Sequence, residues 1–213
     1  MLAEAVQADF GVRSTRLTEV ADFFVLRSLI GDLERHTGTW MKPRRVWPTL
    51  ATFGASGRVE SQPRGTCLVI APWNLPFHLA LGPFPSCLAD GNAAIVKPSE
   101  LTPATNTLIA KMIGETFPPD LVTVVEGDKV VAEGLLALPF DHIFFTGSPA
   151  VGKIVMAAAA KTLASVTLEL GGKSPVIVCR DADIDRAVPV AAMAVFANSG
   201  QICIAGSRLF VAR

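Results

Sequence analysis

The stretch Gly65–Asn74 reads GTCLVIAPWN, and it decides how the rest of the chain is interpreted. An apolar run of strand length ends there in Pro, Trp and Asn, which is typical of a buried strand followed by a polar loop. Comparable runs follow along the chain: AAIVK, LVTVVEG, HIFFTG, VTLEL and PVIVC. Nearly continuous Val and Ile runs that alternate with helix-length segments indicate βαβ units and a parallel sheet buried on both faces.

The segments between these runs have the length of helices. The predicted helices are Phe77–Ala89, Pro103–Phe117, Lys129–Leu138, Pro149–Leu163 and, after a cap signal at Asp181–Asp183, Ile184–Ala197. Residues 1–36 also carry helical periodicity. Gly38–Arg64 is interpreted as an extended connector with a strand near Trp47–Phe53. We therefore predict an α/β fold with a Rossmann-like parallel sheet and flanking helices.

Bulk composition argues against a nucleic-acid partner. The chain has 213 residues, with 19 Lys and Arg against 19 Asp and Glu, so the formal net charge is zero. A nucleic-acid site needs a clustered excess of positive charge. The one basic cluster, KPRR at Lys42–Arg45, is interpreted as part of a solvated connector.

No segment is interpreted as a targeting or membrane signal. The N-terminus contains Glu4 and lacks the charged-then-apolar order of a secretory signal. The low-charge run Leu68–Ala89 is long enough to cross a bilayer, but its prolines and Asn74 would leave backbone groups unpaired in lipid. We therefore expect a cytoplasmic protein with no membrane partner.

The cysteines divide into two kinds. Cys67, Cys87 and Cys179 lie inside apolar runs and are interpreted as small buried hydrophobic residues. Cys203 lies in NSGQICIAGSR (Asn198–Arg208), whose small and polar residues leave a thiol accessible. Because no CxxC pair and no neighbouring His accompany any of the four, we predict neither a metal site nor a disulfide framework. Cys203 is the candidate nucleophile.

Ligands of open α/β sheets lie outside the carboxyl ends of the strands, so the residues just after each run are candidate site residues. Asn74 can donate its amide to a developing oxyanion, or it can hold its own turn. Lys97 and Glu100 can clamp ribose hydroxyls, or they can form a surface ion pair. Glu169 stands before two glycines and can act as a mobile general base, or it can pair with Lys173.

The stretch TGSPAVGK at residues 146–153 places Gly147 and Gly152 around a predicted helix start. Glycines there let the backbone approach a pyrophosphate, and a helix N-terminus favours negative charge. The same stretch matches the GxxxxGK part of a P-loop, but Ile154 stands where Ser or Thr must bind Mg²⁺. A P-loop NTPase is therefore only a weak alternative.

Five motifs in this order resemble the aldehyde dehydrogenase superfamily: PWN (72–74), KPSE (97–100), FTGS with VG (145–148, 151–152), ELGGKS (169–174) and the GQxC of NSGQICIAGSR. Three longer stretches are similar in sequence to the class 3-like branch that includes coniferyl aldehyde dehydrogenases: APWNLPFHLALGP, PFDHIFFTGS and KTLASVTLELGGKSP. The similarity runs from about Gly65 to Arg213 and is weaker before it.

The resemblance implies NAD(P)-dependent oxidation of an aldehyde to a carboxylic acid. Cys203 would attack the aldehyde to give a thiohemiacetal and then a thioester, Asn74 would hold the oxyanion, and Glu169 would activate the hydrolytic water. The implied cofactor-binding residues are Ala71, Pro72, Trp73, Lys97, Glu100, Gly147, Ser148, Gly152, Leu170 and Gly171. Glu100 favours NAD through the free 2′-hydroxyl, and Lys97 leaves NADP open.

The resemblance also implies a division of the chain. Residues 1–64 would be N-terminal helices and an extended connector, residues 65–168 an NAD(P)-binding Rossmann-like domain, and residues 169–213 the start of the catalytic domain. Members of the family run to more than twice this length and form homo-oligomers. We therefore expect a fragment with an incomplete catalytic domain, whose own activity and oligomeric state stay open. A non-catalytic dinucleotide-binding module that retains the motifs is the main alternative.

Overall fold

The computed structural model describes residues 2–212, so Met1 and Arg213, the outer bounds of the first and last predicted segments, lie outside the described residues. The helices are α1 (Leu2–Phe10), α2 (Thr15–Thr18), α3 (Val25–Trp40), α4 (Pro76–Leu81), α5 (Pro83–Ala89), α6 (Pro103–Thr116), α7 (Lys129–Leu136), α8 (Pro149–Ala159) and α9 (Ile184–Phe196). The strands are β1 (Arg44–Val46), β2 (Gly57–Val59), β3 (Thr66–Ile70), β4 (Ala93–Lys97), β5 (Val122–Val124), β6 (His142–Gly147), β7 (Ser165–Leu170), β8 (Pro175–Val178) and β9 (Arg208–Val211).

The central sheet has five parallel strands in the order β5-β4-β3-β6-β7, which confirms the predicted Rossmann-like α/β fold. The chain first builds outward from β3 to β5, and then returns to the other side of β3 to form β6 and β7. The strand order therefore reverses between β3 and β6. In such sheets the crevice at this reversal is where ligands bind.

Helices cover both faces of the sheet because β3 is apolar on both sides. Val69 is fully buried in a cluster that includes Phe77 of α4 and Ile109 of α6. Leu68, one residue earlier, belongs to the opposite cluster, which includes Val155 of α8. Side chains alternate across a strand, and each fully buried aliphatic side chain contributes about 1.5–3 kcal/mol. The central strand is thus fixed from two directions.

The predicted helix Phe77–Ala89 is wrong in one respect, because two helices occupy this range. Pro83 lacks a backbone N–H and begins a new helix, so α4 ends at Leu81 and α5 starts at Pro83. The low-charge run Leu68–Ala89 is accordingly divided among β3, α4 and α5. Among residues 2–212 no helix is long and apolar enough to cross a bilayer.

The N-terminal helices are bonded to the sheet layer. Asp9 of α1 accepts the backbone N–H groups of Ala104 and Thr105 at 2.9 and 2.8 Å, together with the Thr105 hydroxyl. These N–H groups belong to the first turn of α6, which has no partner for them within its own helix. A carboxylate at a helix N-terminus is also favoured by the helix dipole. Asp9, which lies in the predicted N-terminal segment (residues 1–64), therefore caps a helix of the predicted cofactor-binding segment (residues 65–168).

The strand predicted near Trp47–Phe53 is wrong. Leu50–Thr52 forms a 3₁₀ turn, and the strands β1 and β2 lie on either side of it as an antiparallel pair. The side chains and backbones of Thr49 and Thr52 bond each other reciprocally, which stabilises this turn. Helix α3 also continues to Trp40, past the predicted start of the connector at Gly38.

The run PVIVC does not join the large sheet. Strand β8 pairs in parallel with β9, and α9 connects the two, so they form a separate βαβ unit. Cys179 directly follows β8 and is exposed, so its predicted burial is wrong. An apolar run predicts a strand, but it does not determine how much of that strand its neighbours cover.

Replacement of Gly65 tests the start of β3. Gly65 has a φ of +130°, and a Cβ there would collide with the carboxylate of Asp141, which accepts the Thr66 N–H at 2.8 Å. We expect Gly65→Ala to lower the free energy of unfolding by about 2 kcal/mol or more. Gly114→Ala is the matched control, because a Cβ in that part of α6 meets nothing within 4 Å. It should raise stability by about 0.5–1 kcal/mol in the same urea titration. Equal effects at the two positions would contradict this account.

Candidate active site

The candidate site lies at the carboxyl edge of the large sheet, where β3, β6 and β7 end. A cavity of about 330 Å³ opens there. It is lined by seven of the predicted residues: Trp73, Asn74, Gly147, Ser148, Glu169, Gly171 and Cys203. The other lining residues are Leu79, Thr146, Gly200, Gln201 and Ile202. Residues from four separate stretches of sequence therefore meet around one space.

The other predicted residues lie along the same edge without lining this cavity. They are Ala71, Pro72, Lys97, Glu100, Gly152 and Leu170. The Ala71 N–H donates to the Lys97 carbonyl at 3.0 Å, which ties the loop after β3 to the end of β4. Gly152 in the first turns of α8 packs so closely on β7 that an added Cβ would lie 3.0 Å from a methyl group of Leu170.

Lys97 and Glu100 form an ion pair with unequal exposure. The Lys97 side chain is 3% exposed, and its Nζ lies 3.2 Å from Glu100 Oε2 and 3.0 Å from the Pro98 carbonyl. The Glu100 backbone N–H, assisted by Lys97, holds the pKa of the Glu100 carboxyl below its usual value, against partial burial. The pair is thus anchored through a buried ammonium group, and its carboxylate faces outward.

The turn before Cys203 has an uncommon backbone. Asn198, Ser199 and Gly200 have consecutive positive φ values of 50°, 57° and 75°. For residues other than glycine this conformation costs about 1–2 kcal/mol each. The buried Asn198 offsets part of that cost, because its Nδ2 donates to the carbonyl oxygens of Asn74 and Gln201 at 3.1 and 3.2 Å. The sharp turn presents Cys203 at the protein surface.

Cys203 also borders a second cavity. This cavity has a volume of about 380 Å³ and is lined by Gly171, Gly172 and residues of α9 and the Cys203 loop, including Val195 and Phe196. The thiol therefore stands between two spaces, one formed by strand ends and one formed by α9. Two reactants could approach it from different sides.

Two hydrogen-bond donors belong to residues that line the same cavity as the Cys203 thiol, namely the Asn74 side-chain amide and the Cys203 backbone N–H. Asn74 Nδ2 donates to the Gln201 carbonyl at 2.8 Å, and this bond uses one of its two N–H groups. Within residues 2–212 the Cys203 backbone N–H donates to no protein group. Donors of this kind stabilise an oxygen that becomes negative when a nucleophile adds to a carbonyl.

Glu169 is exposed at the end of β7 and lines the first cavity. The expected alternative, a pair with Lys173, is wrong, since no ion pair in the described chain involves Glu169. A Cβ at Gly171 or Gly172 would meet nothing within 4 Å, so the segment after Glu169 has room to move. No group of three or more His, Cys, Asp and Glu side chains in residues 2–212 could hold a metal ion.

Sequence reasoning missed the residues that hold Asn74. Arg13 Nη1 donates to the Asn74 carbonyl at 2.8 Å, and Arg13 Nη2 pairs with Asp22 Oδ2 at 2.7 Å. Only helical periodicity was visible in that part of the sequence. Asn198 was part of the NSGQ stretch, but no role was assigned to it. A local pattern contains no signal for a contact between residues 61 positions apart.

Comparison with known proteins gives consistent matches. The model of the aldehyde dehydrogenase family matches residues 20–213. The coniferyl aldehyde dehydrogenase of Pseudomonas sp. (strain HR199 / DSM 7063) is 47% identical over 208 residues, which are 96% of this chain and 42% of that protein. The substrate-bound structure of Staphylococcus aureus AldH has a TM-score of 0.91 at 36% identity, covering 99% of this chain and 48% of that chain. Mycobacterium tuberculosis aldehyde dehydrogenase, complexed with NAD⁺, has a TM-score of 0.88 at 27% identity, covering 97% of this chain and 42% of that chain.

The exposure of the cysteines predicts their order of alkylation. Cys203 and Cys179 are exposed, whereas Cys67 is buried. A hydrogen bond with Cys67, together with burial, also raises the pKa of Cys87 and lowers its thiolate fraction. We expect iodoacetamide to modify Cys203 and Cys179 at least about tenfold faster than Cys67 and Cys87, measured by peptide mass spectrometry. Cys179 is the control for an exposed thiol outside the candidate site. Protection of Cys203 in the native protein would contradict the geometry.

Proposed function

Because the chain belongs to the aldehyde dehydrogenase family, we propose that it carries the cofactor-binding part and the nucleophile of an enzyme that oxidises an aldehyde to a carboxylic acid with NAD(P)⁺. One observation carries the proposal: Cys203, Asn74 and Glu169 border the same cavity. A nucleophile, an oxyanion donor and a carboxylate base are the groups that this chemistry requires.

The chain spans less than half the length of the relatives named above. The activity of a complete relative therefore applies to this chain only as part of the proposal. We assign residues 65–168 to cofactor binding and residues 169–213 to the start of the catalytic domain. β7, which spans Ser165–Leu170, crosses this boundary, so Glu169 lies on a strand that the two parts share.

The residues at the carboxyl edge fit a dinucleotide. Gly147 and Ser148 precede α8, a helix of 11 residues whose N-terminus favours a phosphate. A Cβ on Gly147 would lie 2.5 Å from the Phe145 ring, so the backbone can take this close position only without a side chain. Lys97 and Glu100 would hold the adenosine ribose, and Trp73 with Gly147 would line the path toward Cys203. When bound, the cofactor supplies an acceptor for the hydride of the substrate.

We propose NAD⁺ rather than NADP⁺. The Lys97 ammonium already donates to Glu100 and to the Pro98 carbonyl, so only one of its three N–H groups is left for a 2′-phosphate. The outward-facing carboxylate of Glu100 can accept a hydrogen bond from a ribose 2′-hydroxyl and would repel a phosphate.

The chain's own residues perform the carbonyl chemistry. The Cys203 thiolate attacks the aldehyde carbon, and the Asn74 amide and the Cys203 N–H hold the resulting oxyanion. Loss of the hydride from that carbon leaves a thioester on Cys203. Glu169 then removes a proton from water, and the hydroxide adds to the thioester carbonyl. Collapse of this second adduct releases the carboxylic acid and restores the thiolate.

Substrate and location are proposed at a coarser level. The name of the Pseudomonas relative supports an aromatic aldehyde such as coniferyl aldehyde. The free thiols of all four cysteines support a reducing compartment, and we propose the cytoplasm.

Two alternative functions are less well supported. For the NTPase alternative, Ser148 Oγ already caps α8 and Ile154 offers no Mg²⁺ ligand. A non-catalytic binding module would be indicated by NAD⁺ binding without turnover.

Loss of the thiol tests the proposal directly. We expect Cys203→Ala to reduce the rate of NADH formation from NAD⁺ and coniferyl aldehyde by at least about 10³-fold, because the nucleophile is gone. The absorbance of NADH at equal protein concentration is the measurement. Cys179→Ala removes another exposed thiol and should retain the wild-type rate. If both variants keep the wild-type rate, Cys203 is not the nucleophile.

Variants of Asn74 and Glu169 separate the two half-reactions, formation of the thioester and its hydrolysis. Asn74→Ala should lower kcat by about 10²–10³-fold, because one oxyanion donor is lost. Glu169→Gln keeps the side-chain shape without the base, so the first hydride release continues and hydrolysis slows. Stopped-flow absorbance should then show a burst of about one NADH per Cys203, followed by a slow steady state. Absence of the burst would assign Glu169 to the first half-reaction instead.

A further inference from the structure

Arg13 connects the N-terminal helices to the candidate active site. It lies between α1 and α2, and its side chain is 4% exposed. Its Nη2 lies 2.7 Å from Asp22 Oδ2, and its Nη1 donates to the Asn74 carbonyl at 2.8 Å. The guanidinium group therefore bonds the residue that holds the oxyanion in the proposed reaction.

Asp22 holds the same loop from its other end. It lies in the π-helical turn Glu19–Phe24, and its side chain is fully buried. Its Oδ1 accepts the backbone N–H of His78 at 2.9 Å. His78 belongs to α4, which starts just after the Asn74 loop. One ion pair thus fixes the Asn74 carbonyl and the first helical turn that follows it.

This ion pair is a poor source of stability. Burial lowers the pKa of Arg13, and burial also raises the pKa of Asp22 against the opposing effects of the His78 N–H and Arg13. Arg13 Nε is buried and has no hydrogen-bond partner in the described chain. Well-packed apolar residues of similar volume often match or exceed the stability of a buried pair. The role of the pair is therefore inferred from the groups that it bonds, the Asn74 carbonyl and the His78 N–H, and not from a contribution to stability.

The Asn74 carbonyl is the junction between this ion pair and the Cys203 loop. It accepts from Arg13 Nη1 and also from Asn198 Nδ2 at 3.1 Å, so both of its lone pairs are used. On the other side of the residue, Asn74 Nδ2 donates to the Gln201 carbonyl at 2.8 Å. A shift of the Asn74 backbone would therefore change the position of its amide relative to Cys203.

We propose that Arg13, seated on Asp22, is a positioning residue that sets the side-chain amide of Asn74 for the oxyanion at Cys203. The inference rests on the proposed function above. This positioning role requires both terminal nitrogens of the guanidinium group, because Nη1 bonds Asn74 and Nη2 bonds Asp22. A lysine has one Nζ and cannot reproduce this fork. Displacement of a catalytic group by about 1 Å can cost about 10²-fold in rate.

The first variant is Arg13→Lys in the full chain, which keeps the charge beside Asp22. We expect kcat for the aldehyde to fall about tenfold, with KM for aldehyde and for NAD⁺ within about twofold of wild type. Thermal unfolding should stay near the wild-type midpoint. Arg58→Lys is the matched control, because the Arg58 pair with Glu60 is exposed at the surface. A wild-type kcat in Arg13→Lys would overturn the inference.

Two further variants separate positioning from folding. In an Asn74→Ala background, Arg13→Lys should change kcat by less than about twofold, since the amide that it positions is already absent. The double variant Arg13→Met with Asp22→Leu leaves no orphan charge, although the His78 N–H loses its acceptor, and kcat of the folded variant should stay about tenfold low. An undiminished loss in the Asn74→Ala background, or recovery of kcat in the Met/Leu variant, would exclude a positioning role.

A cofactor-free assay distinguishes failure of this inference from failure of the proposed function. The Cys203 thiolate can attack the carbonyl of 4-nitrophenyl acetate, form a tetrahedral oxyanion and expel 4-nitrophenolate, which leaves an acetyl thioester. This step uses the same oxyanion donors, so Arg13→Lys should slow nitrophenolate release about tenfold as well. Wild-type protein inactive toward both aldehyde and ester would refute the proposed function, and the inference with it. Active wild type with equally active Arg13→Lys would refute the inference alone.

Discussion

The position of β3 at the centre of the parallel sheet constrains the rest of the molecule. Val69 packs against helices on one face, Leu68 and Ile70 pack on the other, and β4 and β6 pair with its two edges. Parallel strands end at the same edge, and loops that leave them must therefore meet there. Asn74 and Glu169 are far apart in sequence but are neighbours in the structure because each follows or ends such a strand.

Cys203 does not follow a strand of the large sheet, because its loop belongs to the separate β8–α9–β9 unit. A second constraint is therefore needed to hold its loop at the carboxyl edge of that sheet. The backbone reverses through the left-handed residues Asn198 and Ser199, and Asn198 and Asn74 bond the two loops together. The buried pair of Arg13 and Asp22 lies beneath this junction. Three parts of the chain therefore hold the candidate site: the large sheet, the β8–α9–β9 unit and the N-terminal helices. The sequence of the N-terminal helices showed only helical periodicity and gave no sign of this role.

The fold was predictable where the pattern reports burial directly. Continuous apolar runs predicted the strands of the large sheet, and the cap signal at Asp181–Asp183 marks a helix start that the structure confirms, with Asp183 as the N-cap. The wrong predictions concern features that depend on neighbours. The exposure of Cys179 depends on which strand pairs with β8, and the turn at Leu50–Thr52 depends on reciprocal threonine bonds.

The sequence by itself determined which residue types follow each strand, and therefore that an amide and a carboxylate lie at strand ends of one α/β layer while an accessible thiol lies in a later loop. Strand ends are encoded locally, since periodicity and turn residues act over a few positions. Only the tertiary structure decided that Arg13 bonds Asn74 across 61 positions and that Asn198 adopts a left-handed backbone. Such contacts exist because packing brings distant backbone groups within hydrogen-bond distance, and local sequence does not encode that approach.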